Sequence, residues 1–413
     1  MKPLFEYGSI EAFLQIVKEK RNTDRKKSSF FSLLAMLFTL SLAACGGGSG
    51  GGSGGASTST PTNTTGSGGT VSGTSGLTSN LWVNQAFATI SNGSISNPNS
   101  NLIDFKNMSV SQTPVPTVYP QSSYTYQWIV PDNAGNLWAT ETQIPTSTSG
   151  GTSPTLAIVK FTGASTNPSS ITPTPMITLP SNVFVQSLAF DSSQNLYLDE
   201  ESTTSTLGEI IKYSAPSYNT PTTLATYSQS GGVTSGNNSC QASAYLAFDS
   251  AGNLWASENY YNGSSCNNQI AEYNTSGTLI NHYGTLSGSS FSILFDSSGN
   301  MWGLQGSCSG CSSNTSGGIW KWTGSPNGVN NPSTPFASFP SGFTANNDLQ
   351  AVFDGNGNLW FGAESGSSSN NTGANIYELV AGSTTPTTAN AFGNNNYIFG
   401  VAVVPAPSNL PIN

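Results

Sequence analysis

The sequence predicts an all-β protein: a six-bladed β-propeller of four-stranded blades, closed by pairing its C-terminal strand with its N-terminal blade. Three observations lead to this prediction. A short phrase recurs along the chain, as in YLAFDSAGNLWASE and SILFDSSGNMWGLQ. The segments between its copies are strand-forming runs separated by Gly, Ser, Asn and Pro. Each end of the chain carries only part of a repeat.

The repeat is counted most easily on the asparagine of its GNLW core. The intervals between successive copies are 56, 59, 58, 47 and 58 residues, and the six asparagines are Asn80, Asn136, Asn195, Asn253, Asn300 and Asn358. Periods of this length, built from strand-like segments without helical periodicity, are typical of propeller blades.

Each repeat divides into four predicted strands. Strand A precedes an aspartate, as in QSLAFD, and strand B contains the NLW run. Strand C reads IVKF, IIKY, IAEY, IWKW or IYEL, and strand D is a segment flanked by Pro or Thr, such as PTTLATY or PFASFP. Strong β-formers bounded by turn residues predict an antiparallel meander.

The two chain ends fix the predicted number of blades. The first copy, SNLWVNQ, begins at strand B, and the last segment, IFGVAVVP, is a strand A without a strand B. The C-terminus therefore supplies the missing strand A of the first blade and removes an open sheet edge. The propeller is predicted to span residues 79–405, followed by a tail at 406–413.

The repeated phrase is predicted to be the hairpin that joins strands A and B. Its aspartates accept backbone N–H groups of the turn, and its glycines adopt the left-handed conformation. The aromatics of strand B are expected to fill the wedge between blades. The aspartates are Asp132, Asp191, Asp249, Asp296 and Asp354; the glycines are Gly135, Gly252, Gly299 and Gly357; the aromatics are Trp82, Trp138, Tyr197, Trp255, Trp302 and Trp360.

Strand C carries one charged residue per repeat, and neighbours around the ring mostly have opposite signs. We expect a solvated face, because exposed ion pairs contribute only about 0–1 kcal/mol each. These residues are Asp104, Lys160, Lys212, Glu272, Lys321 and Glu378.

The N-terminal part is predicted to be an export and anchoring segment. Residues 1–44 combine a basic lead with an apolar run, as in a signal peptide. The run ends in Leu-Ala-Ala-Cys45, which resembles a bacterial lipobox and implies lipidation of Cys45. An ordinary secretory signal with an incidental cysteine is the alternative. Residues 45–78 form the lipidated cysteine and a Gly/Ser/Thr tether.

The charged residues of the chain limit the partners that the protein can bind and the location that we expect for it. The chain has 11 basic and 20 acidic residues; residues 1–44 hold seven and four of them, which leaves four lysines, no arginine and 16 acids. Such a surface cannot neutralise phosphates, so no nucleic-acid partner is predicted. We expect a monomer in the bacterial cell envelope, periplasmic or at the cell surface, that touches the membrane through its lipid anchor alone.

Four cysteines follow Cys45, an even number that favours disulfides in an exported chain. Of the three possible pairings we favour Cys240–Cys266 with Cys308–Cys311. A zinc site is disfavoured because there is no second CxxC motif and His282 is the single histidine.

The phrase FD-x-x-GN-L-W-x-x-E, followed by NQIAEYNTSGTLINHYG, resembles the propeller superfamily of NHL repeats, streptogramin B lyases and gluconolactonase/regucalcin enzymes. The resemblance covers about residues 79–405. Gluconolactonase-like members imply metal ligands where this chain has Gln127, Gln186, Ala244, Phe291, Leu349 and Gly400, with Asp348 the nearest carboxylate. Lyases imply an axial histidine, whereas His282 falls on the predicted outer strand D. No catalytic residue and no resident metal are therefore predicted.

One constellation remains as a candidate ligand site. Five or six residues beyond each repeat asparagine stands a Glu or Gln, expected at the end of strand B on the face where the B–C loops emerge. This ring could bind a cation, a sugar or a polyamine, or accept backbone N–H groups of the next blade. Its members are Gln85, Glu141, Glu200, Glu258, Gln305 and Glu364; further candidates near this face are Tyr126, Gln186, Tyr245, Asp348 and Gln350.

These observations predict a non-catalytic binding or scaffolding module with a protein, peptide or carbohydrate ligand at the loop face around the propeller axis. No cofactor is expected. The alternative is a streptogramin lyase-like or hydrolase-like enzyme with a divalent metal on the Glu ring.

Overall fold

The computed structural model describes residues 80–404, except 92–93, 107–116, 122–123, 144–155, 167–169, 182, 203–206, 229–243, 262–265, 287–290, 306–317, 324–334, 340–342, 345–349, 368–369 and 392–395. This part contains 25 β-strands and one short 3-10 helix, Ala164–Thr166. Within it there is no helix with the length and hydropathy needed to cross a membrane.

The strands form six antiparallel sheets, one for each predicted blade. Blade 1 combines both ends of the described chain, and blades 2 and 3 are continuous. Blade 1 contains β1 (Asn80–Ser91), β2 (Ser94–Lys106), β3 (Thr117–Gln121) and β25 (Asn396–Val404); blade 2 contains β4 (Tyr124–Pro131), β5 (Leu137–Gln143), β6 (Leu156–Phe161) and β7 (Pro173–Thr178); blade 3 contains β8 (Val183–Phe190), β9 (Leu196–Ser202), β10 (Leu207–Tyr213) and β11 (Pro221–Ser228).

The remaining blades follow the same order, with strand A innermost. Blade 6 differs in having its inner strand in two pieces, both paired with strand B. Blade 4 contains β12 (Ala244–Phe248), β13 (Leu254–Tyr261), β14 (Cys266–Tyr273) and β15 (Leu279–Leu286); blade 5 contains β16 (Phe291–Phe295), β17 (Met301–Gln305), β18 (Gly318–Trp322) and β19 (Ala337–Ser338); blade 6 contains β20 (Phe343–Thr344), β21 (Ala351–Phe353), β22 (Leu359–Ser367), β23 (Asn370–Leu379) and β24 (Thr387–Ala391).

The predicted closure is confirmed. Strand β25 pairs antiparallel with β1, from Asn80 opposite Val404 to Phe87 opposite Asn396. It also contacts the inner strand β4 of blade 2 on one side and blade 6 on the other. The ring is thus complete although its first blade is assembled from two chain segments more than 270 residues apart in sequence.

The A–B turn is an aspartate-centred hydrogen-bond cluster. In blade 2, Asp132 Oδ1 accepts the backbone N–H groups of Ala134 (3.0 Å) and Asn136 (2.8 Å). Its Oδ2 accepts the Asn136 amide (2.8 Å) and the Trp138 indole N–H (2.9 Å). Gly135 has φ +77°, which confirms the predicted left-handed turn residue. Each aspartate therefore ties the turn to the first aromatic of strand B.

The aromatics of strand B pack against the last inner-strand residue of the next blade, as predicted. Trp138 meets Phe190 edge-on at 5.4 Å between ring centroids, and Trp255 meets Phe295 at 5.6 Å. Trp138 and Trp255 are both fully buried. These edge-to-face contacts fill the wedge between blades and account for much of the core.

The strand C charges do not form the expected solvated ring. Asp104, Glu272 and Glu378 are 0%, 8% and 3% exposed. The lysines reach back within their own blades: Lys160 Nζ lies 3.6 Å from Asp132 Oδ2, and Lys321 Nζ lies 3.8 Å from Asp296 Oδ2. The expectation was wrong because each residue sits directly opposite the buried aromatic of strand B, as Asp104 does opposite Trp82.

Candidate functional site

The Glu/Gln ring lies at one level of the propeller. Each member of the ring is the ladder partner of a residue near the start of the inner strand in its own blade. The pairs are Gln85–Ile398, Glu141–Tyr126, Glu200–Val185, Glu258–Ala244, Gln305–Phe291 and Glu364–Thr344. Strand B ends at this level only in blade 5; elsewhere it continues, contrary to the expectation from sequence.

Three of the ring side chains accept hydrogen bonds within their own blades. Glu141 Oε2 accepts the Tyr126 hydroxyl at 3.1 Å, and Glu258 Oε1 accepts the Tyr273 hydroxyl at 2.5 Å. Gln85 Oε1 accepts the Asn101 amide at 3.2 Å. Tyrosine and amide donors thus take the place of the backbone N–H groups expected from the next blade. Among the described residues, no three His, Cys, Asp or Glu side chains come close enough to share a metal ion.

Burial sets the electrostatics of the ring. It raises the pKa of Glu141 and of Glu258, while the tyrosine hydrogen bonds act in the opposite direction. The pKa of Glu200 rises to about 7 through burial and the nearby carboxylate of Glu209, opposed by a hydrogen bond from Tyr213. The ring therefore holds carboxylates that are costly to ionise.

His282 lies on the outer strand β15, as predicted, and not at the axis. Its side chain is 44% exposed, and its Nε2 atom lies 3.8 Å from Glu258 Oε2. Gln269 Nε2 donates to the same carboxylate oxygen at 2.9 Å. A contact between the single histidine and a ring carboxylate was not foreseen, because residues on strands B and D are not adjacent in sequence.

Two of the predicted ligand-binding tyrosines are interior residues. Tyr126 is fully buried and packs edge-on against Phe161 at 5.2 Å. Tyr245, in blade 4, is 3% exposed, and its ring lies 5.1 Å from that of Trp128 in blade 2, which is not a neighbouring blade. Their rings are packed into the core and are not presented on the loop face.

Gln350 joins blades that are not neighbours. Its Oε1 accepts the backbone N–H of Ile129 at 3.2 Å, and its Nε2 donates to the Ile129 carbonyl at 2.6 Å. Gly400 of the closing strand lies between them, and a Cβ there would be 2.8 Å from Gln350 Oε1. Gln350, predicted as a ligand-binding residue, is bound to the inner strand of blade 2.

Three blades extend furthest beyond the ring level as paired B–C hairpins. In blade 1 the ladder runs to Ser91 opposite Ser94, in blade 4 to Tyr261 opposite Cys266, and in blade 6 to Ser367 opposite Asn370. At about 3.4 Å per residue, the blade 1 hairpin rises roughly 20 Å above Gln85. The segments 86–100, 259–268 and 365–375 contain no charged residue and are rich in Asn, Ser, Thr and Gly.

Several predicted site residues lie outside the described residues. These are Cys45, Cys240, Cys308, Cys311 and Asp348. For Gln186, Glu364 and Cys266 the backbone is described but the side chain is not. The disulfide pairing and the lipidation site remain predictions.

Comparison with known proteins finds solved structures of very low sequence identity. No protein-family model and no curated protein matches it. A Hadza microbial sialidase is 12% identical, with a TM-score of 0.46 over 72% of this chain and 68% of that one. An α-L-arabinofuranosidase from Clostridium thermocellum is 12% identical, with a TM-score of 0.39 over 66% and 95%. The β-propeller domain of the trilobed protease from Pyrococcus furiosus is 8% identical, with a TM-score of 0.40 over 76% and 80%. These values assign no activity.

Proposed function

We propose that this protein is a lipid-anchored envelope module whose propeller binds an uncharged carbohydrate without chemical catalysis. Residues 1–44 direct export, Cys45 carries the lipid, and the tether to residue 78 holds the propeller away from the membrane. The repeat phrase, which resembles NHL and streptogramin lyase repeats, supports a scaffold of that general kind.

The observation that carries the proposal is the set of three B–C hairpins on one face. They rise beyond the ring level in blades 1, 4 and 6, and their segments lack charged residues. Amide and hydroxyl groups offer both donors and acceptors, which suits sugar hydroxyls. Tyr260 and Tyr261 stand in the blade 4 hairpin, and tyrosine adds an apolar surface with a polar end.

The hydrogen bonds of the ring carboxylates favour a binding role over metal-dependent catalysis. Glu141 and Glu258 are bound to tyrosine hydroxyls in their own blades. An oxygen-ligated metal needs several oxygens that converge on one point. The lyase-like alternative would require these carboxylates to leave their partners and turn towards a shared position.

A binding screen tests the proposal. The chain from residue 46 onward is applied to an array of envelope polysaccharide fragments, with immobilised envelope proteins as a second arm. We expect retention by uncharged glycans and a loss of about 10-fold or more in affinity for Tyr260→Ala/Tyr261→Ala. Ile280→Ser, on the outer strand of the same blade and 50% exposed, is the matched control and should bind normally.

Two results would overturn the proposal. Retention on envelope proteins and on no glycan would make the hairpin face a protein-binding surface. Turnover of a glycan or lactone that depends on Glu200 or Glu258 would make the protein an enzyme. Labelling with a radioactive fatty acid that is lost in Cys45→Ser tests the anchor separately.

A further inference from the structure

The internal repeats show which group each blade places beside its turn aspartate. In blades 2 and 5 this group is a lysine: Lys160 Nζ lies 3.6 Å from Asp132 Oδ2, and Lys321 Nζ lies 3.8 Å from Asp296 Oδ2. Each ammonium also lies over the strand B tryptophan, at 5.4 and 4.6 Å from the ring centroid. A positive charge therefore occupies the same place in two blades.

Blade 4 has an acid at this place and compensates it with neutral donors. The Asn253 amide lies 3.2 Å from Asp249 Oδ2 and 3.0 Å from Glu272 Oε1, so it bridges the two carboxylates. The Tyr283 hydroxyl donates to Glu272 Oε2 at 2.5 Å. Both oxygens of the additional carboxylate thus have a donor.

Blade 6 also has an acid, Glu378, but lacks this compensation. The amide of Asn358 donates to Asp354 Oδ2 at 3.0 Å, and so does the Trp360 indole N–H. Glu378 is only 3% exposed, and its Oε2 atom is buried without a hydrogen-bond partner. The ladder position that holds Tyr283 in blade 4 is Asn390 in blade 6.

Two carboxylates thus lie beside the strand B tryptophan: Asp354 accepts the Trp360 indole N–H, and Glu378 is the ladder partner of Trp360. Burial, followed by the negative charge of Asp354, raises the pKa of Glu378 to about 7. A buried carboxylate without a partner is unfavourable, and either a proton or a cation relieves it. The equivalent place in blades 2 and 5 already carries a cation.

We propose that blade 6 binds a hard divalent cation, of the calcium or magnesium class, between the side chains of Asp354 and Glu378. Both side chains supply oxygen ligands, and an ion of the magnesium kind is commonly held by one or two carboxylates, with water in its other positions. Asp354 already accepts four hydrogen bonds from its own turn, so the unpartnered Oε2 atom of Glu378 is the principal ligand. The site belongs to the A–B turn and so lies on the face opposite the B–C hairpins. It is therefore independent of the proposed carbohydrate face.

Thermal unfolding with and without the metal tests this site. The protein is freed of metal with EDTA, dialysed at pH 7.5, and heated with CaCl2, with MgCl2 or with neither, at about 1 mM, where a site of micromolar affinity is saturated. We expect at least one cation to raise Tm by about 2 °C or more. Which salt acts identifies the cation.

Three variants locate the effect. Glu378→Gln should abolish the rise in Tm, whereas Glu272→Gln, the matched acid in blade 4, should retain it. Glu378→Lys reproduces the arrangement of blades 2 and 5 and should raise Tm without metal and remove the response to it. No response of the wild type to either salt, or an equal response in Glu378→Gln, would overturn the proposal. A response lost in Glu200→Gln instead would place the metal on the ring and contradict the proposed function as well.

Discussion

Gly400 is a position at which a small substitution should disturb the closure of the propeller. It lies in the closing strand β25, beside the inner strand of blade 2 and beneath the side chain of Gln350. A methyl group added by Gly400→Ala would stand 2.6 Å from the Gln127 carbonyl oxygen, 2.8 Å from Gln350 Oε1 and 2.9 Å from Ile129 Cγ1. Backbone and side chain must both move to admit it.

The expected cost follows from two effects. Overpacking in a close-packed interior costs about 1–3 kcal/mol. Displacement of Gln350 also breaks its two hydrogen bonds to Ile129, at about 0.5–1.5 kcal/mol each. We therefore expect Gly400→Ala to lower the free energy of unfolding by about 2–6 kcal/mol.

Urea unfolding followed by tryptophan fluorescence measures this change. Gln350→Ala serves as a comparison, because it removes the two hydrogen bonds without the steric clash and should cost about 1–3 kcal/mol. Gly299→Ala is the control for glycine replacement: no atom lies within 4 Å of the added Cβ, but the residue has φ +77°, so the change should cost only about 1–2 kcal/mol. If Gly400→Ala is no more costly than Gly299→Ala, the inner strands are not packed as described.

Three further predictions concern the turn, the closing strand and the ring. Asp296→Ala should cost about 2–4 kcal/mol in urea unfolding, because it strands the buried Trp302 indole N–H and three other donors of the turn. Deletion of residues 396–413 removes the buried side chains of Ile398, Val401, Val403 and Val404, at about 1.5–3 kcal/mol each. This loss is comparable with a typical total stability of about 5–15 kcal/mol, so circular dichroism should show an unfolded chain; a folded one would refute the closure. Glu200 has a pKa raised to about 7 from an ordinary 4.5, so its protonated form favours folding. Stability is then highest below about pH 4.5 and falls by about 1–2 kcal/mol as the pH rises through 7, once solvent screening of this partly exposed carboxylate is allowed for. Glu200→Gln should flatten that part of the pH profile, and an unchanged profile would contradict the assignment.

The fold was predictable because the repeat encodes it locally. The Asp-x-x-Gly-Asn phrase specifies a turn by short-range hydrogen bonds, such as those of Asp132 to Ala134 and Asn136. The count of strands at the two ends then required β25 to complete blade 1. Both inferences depend on spacing along the chain, which is what a sequence shows directly.

The site was less predictable because its contacts depend on register and bulges. In blade 2 the ladder between β4 and β5 shifts between Tyr126 and Ile129, and a similar irregularity follows Val185 in blade 3. Such bulges decide which backbone groups Gln350 reaches and whether Tyr126 faces Glu141. Strand alternation predicts which side of the sheet a residue faces, but not whether the neighbouring blade covers that side. It could therefore not show that the strand C acids are buried.

Blade 1 shows the consequence of building one sheet from two chain ends. In blades 2, 4, 5 and 6 the strand B tryptophan donates its indole N–H to the turn aspartate, at 2.9 to 3.0 Å. Blade 1 has no A–B turn, because its strands A and B are not consecutive, and Pro405 follows strand A where the other blades have aspartate. Trp82 Nε1 is accordingly buried without a hydrogen-bond partner, and so is Oδ1 of Asp104, its ladder neighbour. The long ladder between β1 and β25 must offset that loss, which explains why closure in this protein depends on the strand pairing and not on a repeated turn.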